Sequence, residues 1–80
     1  MTRRMDVYVE LDKDTMLGDF LRAVHEKSLS TTNVQREGSG DKTEMIRAFS
    51  ATLIAQRRHK HEELLEQIRE IPGVVFVEEL

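Results

Sequence analysis

Residues 43–56 read TEMIRAFSATLIAQ, and whether that stretch is strand or helix decides the fold. Thr43, Ser50 and Thr52, with the β-branched Ile46 and Ile54, favour strand, and the turn Gly38-Ser39-Gly40-Asp41 stands just before them. A period of two then sends Met45, Phe49, Ala51 and Leu53 to one face, with Arg47 an intruder in that row. Ile46, Ala48 and Ile54 go to the other face. Upstream, Leu29 to Glu37 carries Ser30, Thr31, Thr32 and Val34, β-compatible but mostly polar, which predicts an edge strand with little to bury. The two stretches and the turn between them predict a hairpin.

On the amino-terminal side, Met5, Val7, Val9 and Leu11 alternate with Asp6, Tyr8 and Glu10, as in a strand with one buried face. Asp12-Lys13-Asp14-Thr15 offers N-cap oxygens for a helix in which Leu17, Phe20, Leu21 and Val24 recur at helical spacing to about Lys27. Gly18 in its first turn weakens that helix by about 1 kcal/mol relative to Ala. On the carboxyl-terminal side, Leu64, Leu65, Ile68 and Ile71 share a helix face opposite Glu62, Glu63 and Glu66. Glu62 and Glu63 suit the positive end of that helix's dipole. Pro72 stops the helix, Gly73 supplies a permissive backbone, and Val74 to Val77 forms a last strand.

The order strand, helix, strand, strand, helix, strand predicts an α+β fold. Two right-handed crossovers joined by a hairpin give a ferredoxin-like βαββαβ plait, a four-stranded antiparallel sheet with two helices on one face and the last strand beside the first. Residues 1–80 form one domain, with residues 1–4 as a flexible segment or linker.

Eighty residues with 39% apolar content fit one small core, and the absence of cysteine leaves it to aliphatic packing around Tyr8, Phe20, Phe49 and Phe76. A net charge of −3 argues against a general nucleic-acid binder. No apolar run is long enough to span a bilayer. Met1-Thr2-Arg3-Arg4 is not the start of a signal peptide, because Asp6, Glu10, Asp12 and Asp14 prevent any continuous apolar run after it.

Fold alone assigns no activity, so each candidate site is weighed on its chemistry. Without cysteine there is no soft-metal thiolate pair and no thiol nucleophile. Base stacking on a sheet needs several outward aromatics, and only Tyr8 clearly points that way. A phosphate cradle in the first loop would be repelled by Asp12 and Asp14. His59 and His61 are two apart at a helix start, and His25 lies on another element, so solvated histidines outweigh a metal site. No catalytic trio is visible; the reading is a non-enzyme without cofactor or metal. Arg57, Arg58 and Lys60, at a helix start, are the candidates for an anion contact; a solvated loop partly neutralised by Glu62 and Glu63 is the competing reading. Apolar residues on the face away from the helices, Ile46, Ala48, Ile54 and one of Val75 and Val77, point to a homodimer or to docking on a neighbouring domain.

With DVYVELDKDTMLGDFLRAVHEKSLS leading into a Gly-rich hairpin and LLEQIREIPGVVFVEEL at the end, the chain resembles ACT-like regulatory domains. The segment Ile71 to Val77, Ile-Pro-Gly-Val and a short strand after a helix, carries most of the likeness. More narrowly, the chain is similar to the cytoplasmic C-terminal domain of the MgtC/SapB family of bacterial inner-membrane proteins, linked with magnesium homeostasis. The resemblance covers almost the whole chain, through patterns of fold and not of chemistry. It implies a non-catalytic regulatory or interaction domain on the cytoplasmic side, working by dimerisation or by contact with its membrane domain. It also implies that Arg3 and Arg4 follow the last membrane helix, that the chain begins at an excision point, and that the parent ends on this strand. The alternative is a ligand-sensing ACT domain that binds an amino acid or small anion near Asp12, Asp14 and Gly18. Amino-acid-binding relatives carry a Pro-Gly turn in that loop; here the proline is missing and the glycine is displaced to Gly18.

Overall fold

Nine residues of alternating side chains build β1, Arg3–Leu11, and the alternation decides burial: Met5, Val7, Val9 and Leu11 are sealed from solvent while Arg4 and Asp6 are exposed. The computed structural model describes residues 3–37, 47–56 and 59–80. After β1 come α1 (Leu17–Glu26), β2 (Leu29–Glu37), β3 (Arg47–Ala55), α2 (His61–Arg69) and β4 (Val74–Glu79). The strands pair antiparallel in the order β2-β3-β1-β4, the ferredoxin-like arrangement expected from the element order.

The deciding stretch is strand from Arg47 to Ala55. Its inward row sets Phe49 opposite Val9, Ala51 opposite Val7 and Leu53 opposite Met5. Arg47 occupies that row at its open end, where it stays exposed and brings Nη1 to 3.4 Å from Met16 Sδ. Met45, Ile46 and the turn at 38–41 lie outside the described residues. Phe20 and Val24 of α1 and Leu64, Leu65 and Ile68 of α2 enter one core with these inward rows, so both helices cover the same side of the sheet. Phe20 meets Phe49 edge to face at 5.2 Å between ring centres. Burial of a ring of this size contributes about 1.5–3 kcal/mol.

Both outer strands carry a bulge. In β2, Asn33 and Val34 together oppose Ala51, and Asn33 takes φ 57°, a left-handed conformation that asparagine tolerates. In β4, the register shifts between Glu10 and Leu11, which pair with Phe76 and Val74, so Val75 has no partner in β1. That extra residue separates the two candidate valines of β4. Val77 is buried opposite Val9, and Val75 stands at the bulge, 54% exposed. Phe76 takes the outward position beside Glu10.

Three further details depart from expectation. The oxygens of Asp12 to Thr15 do not cap α1: its N-cap is Met16, without a side-chain bond, because Asp12 turns back on its own loop. β4 runs two residues past Val77, to Glu79, since Glu78 and Glu79 pair with Tyr8 and Val7. Arg3 and Arg4 pair with Ala55 and Ile54, so the strand reaches into the stretch expected as a linker.

Candidate functional site

Two places could carry function: the side of the sheet without helices, and the loop between β1 and α1.

Antiparallel pairing puts facing residues on the same side, so the register lays out the uncovered face as a grid. Ile54 stands beside Arg4, and Thr52 beside Asp6. Tyr8 lies between Ser50 and Glu78, and Glu10 between Ala48 and Phe76. On β2 the same rows continue with Gln35 opposite Ser50 and Glu37 opposite Ala48. Ala48 and Ile54 are thus outward, as their parity predicts. The Tyr8 and Phe76 rings touch edge to face, 6.2 Å between centres at 61°. Phe76 is 43% exposed.

Hydrogen bonds tie the polar part of this face down. Tyr8 Oη donates to Glu10 Oε2 at 2.6 Å, Ser50 Oγ to Glu37 Oε1 at 2.9 Å, and Thr52 Oγ1 to Asp6 Oδ1 at 2.7 Å. Donation to Glu10, then burial, then the negative charges of Glu10, Glu78 and Glu37 push the Tyr8 phenol up to about 12. The phenol therefore keeps its proton through the physiological range. Asp6, Glu10, Glu37 and Glu78 form no ion pair among the described residues. Two neighbouring aromatics make a better stacking platform than the lone Tyr8 counted from sequence, but the carboxylates around them repel a nucleic-acid backbone.

The first loop is held internally. Asp12 Oδ1 accepts from Asp14 N at 3.0 Å and from Thr15 Oγ1 at 2.6 Å, while Asp12 N donates to Gly73 O at 2.9 Å. The Thr15 hydroxyl and the loop amides hold the Asp12 carboxyl below the usual carboxylate range. Gly73 adopts φ 94°, and a Cβ there would collide with the Thr15 hydroxyl and stand 2.7 Å from Thr15 Cβ. The loop and the turn before β4 thus close on each other where glycine alone fits. Asp14 is exposed beside Lys13, 3.2 Å from Nζ to Oδ1. Gly18 is exposed, with no atom near a would-be Cβ, so nothing in the chain requires glycine there.

The remaining candidates are scattered. Lys60 is the exposed N-cap of α2; Arg57 and Arg58 lie outside the described residues. His61 Nδ1 lies 2.7 Å from Glu79 Oε2, and His59 Nδ1 lies 3.8 Å from Glu63 Oε2, so the two rings engage different carboxylates. His25 is exposed on α1. Along the free edge of β4, Arg69 and Val74 to Val77 line a shallow groove of about 260 Å³. No helix among the described residues is long and apolar enough to cross a membrane.

No protein-family model matches the chain, and no curated protein does.

Sequence reasoning missed Phe76 and the Thr15–Gly73 contact. The apolar run Val74-Val75-Phe76-Val77 has no alternation from which to read a bulge. The Gly73 contact joins residues far apart in sequence; Pro72-Gly73 announced a turn but not what it would press against.

Proposed function

We propose that this domain is a non-catalytic interaction module that works through the uncovered face of its sheet. The observation that carries the reading is Phe76, nearly half exposed, packed on Tyr8 at the β1–β4 side of that face. A large aromatic left open on a sheet's solvent side is the kind of anchor that interfaces bury. On the likeness of its strand-helix-hairpin-helix-strand pattern, the finer proposal is an ACT-like cytoplasmic domain of an MgtC/SapB-type membrane protein linked to magnesium homeostasis. It would act by dimerisation or by contact with a partner.

The second reading, a sensor of an amino acid or small anion at Asp12, Asp14 and Gly18, draws support from the loop's position at the mouth of α1 and from its contact with the Gly73 turn. It ranks lower because Asp12 is already engaged by Thr15 and Asp14, and its charge disfavours anions.

Amide shifts followed during titration with amino acids and with Mg²⁺, alongside sedimentation over a concentration series, test both. The interaction reading expects silence at residues 12–18 and either a rise in mass or shifts around Tyr8 and Phe76 on adding a partner. Saturable shifts confined to residues 12–18 would replace it with the sensor.

A further inference from the structure

We infer that the uncovered sheet face is a docking surface for a cationic polypeptide segment, one whose arginine or lysine side chains flank an aliphatic residue. The inference rests on the proposed interaction reading and adds the chemistry of the partner.

Charge on the face is one-sided. Asp6, Glu10, Glu37 and Glu78 share it with Arg4, the one basic residue in the outward rows of the described strands. Glu78 and Phe76 are exposed, and Glu78 sits directly across from Tyr8. A face built only to stay in water would not place an open phenylalanine against a tyrosine among these acids. The combination matches a partner that brings positive charge and a small apolar surface together. A guanidinium lying over the Tyr8 and Phe76 rings would gain cation–π attraction and reach Glu10 and Glu78 on either side.

A second copy of the chain fits poorly. Face-to-face packing about a two-fold axis allows each Arg4 to offset one acid of the other copy. The remaining carboxylates would then be left facing each other at low dielectric, and like-charge apposition opposes association. Nucleic acid and anionic lipid are disfavoured by the same charges.

The test uses the chain of residues 1–80 and a short capped peptide of alternating arginine and leucine, with a glutamate-for-arginine peptide as its control. Binding is followed by amide shifts and by titration at rising salt. The expected result is saturable shift at Tyr8, Glu10, Phe76 and Glu78 with the arginine peptide alone, weakening as salt rises. Removing the half-buried Glu10 and exposed Glu78 charges in E10Q/E78Q should weaken binding about tenfold, and Phe76→Ala should weaken it further. Circular dichroism of each variant checks that the fold is kept. Equal binding of the acidic peptide, shifts elsewhere on the domain, or binding of an oligothymidylate to the same face would overturn the inference. Self-association that protects the Phe76 face would also overturn it while leaving the interaction reading intact. No association with itself or with either peptide would overturn both.

Discussion

The two faces of one sheet are made by the same strands and meet opposite solvents. Along β1 the odd residues from Met5 to Leu11 vanish under two helices, while the even residues Arg4, Asp6, Tyr8 and Glu10 look outward. On β3 the inward row is Phe49, Ala51, Leu53 and Ala55, and the outward row mixes Ala48, Ser50, Thr52 and Ile54. The buried positions of the covered face are aliphatic and aromatic, with Arg47 at its open end, so packing holds it. The uncovered face is neither a plain polar surface nor a second core. Its neighbours hydrogen-bond in pairs, with an aromatic contact at the β1–β4 side. Alternation assigns a residue to a face; what that face is for depends on which residues the register brings together there.

The contrast can be broken first at its strong end. Phe20→Ala should lower unfolding free energy by about 3–5 kcal/mol in denaturant, because the cavity opens between α1 and the sheet where Phe49 loses its partner. A loss near that of an exposed site would mean that the helices do not seal this face. Next comes Gly73→Ala, with an expected loss of about 1–3 kcal/mol from the left-handed backbone and the clash with Thr15. Pairing it with Thr15→Ala should recover part of the clash but not the backbone cost, so a double-mutant cycle distinguishes the two.

The uncovered face should give smaller numbers. Thr52→Val keeps the shape and removes the donor to Asp6, with an expected cost of about 1 kcal/mol. Phe76→Ala should cost about 0.5 kcal/mol, as a half-exposed side chain with one aromatic neighbour. A loss as large as that at Phe20 would show Phe76 to be core and remove its value as an anchor.

The smallest effect near neutral pH concerns Tyr8, the single tyrosine, whose ionisation can be followed by near-ultraviolet absorbance. Its folded-state value is raised, to about 12, so its contribution to stability is complete below the ordinary phenol value. That contribution fades as pH rises from there through about 12. Glu10→Gln should move the titration back toward the ordinary value; an unchanged midpoint would show that the Glu10 bond is not its main cause. Asp12 behaves with the opposite sign. Its lowered value gives a contribution present above the unfolded carboxyl value and lost as pH falls through the folded one.

Much of this architecture is legible in the chain. Period two at Met5 to Leu11, helical spacing at Leu17 to Val24 and at Leu64 to Ile71, and the polar stretch before Gly38 are local signals, and each led to the right element. Phe49, Ala51 and Leu53 follow the same logic. Legibility failed where one residue's place depends on another strand. The bulge at Val75 moved Val77 inward and Phe76 outward, and Asp12 bonded to its own loop instead of capping a helix. Of the candidate site, Tyr8, Glu10, Ala48 and Ile54 were readable by parity, whereas Phe76 and Glu78 beside them were not.

By itself, then, the amino-acid sequence determined the element order, the buried row of each regular strand and the faces of both helices, because those depend on periodicities within a few residues. The tertiary structure alone decided the grouping of Tyr8, Glu10, Phe76 and Glu78 into one patch and the locking of Thr15 against Gly73. Each arises from pairing between segments distant in the chain, where a single extra residue in an edge strand redirects every side chain beyond it.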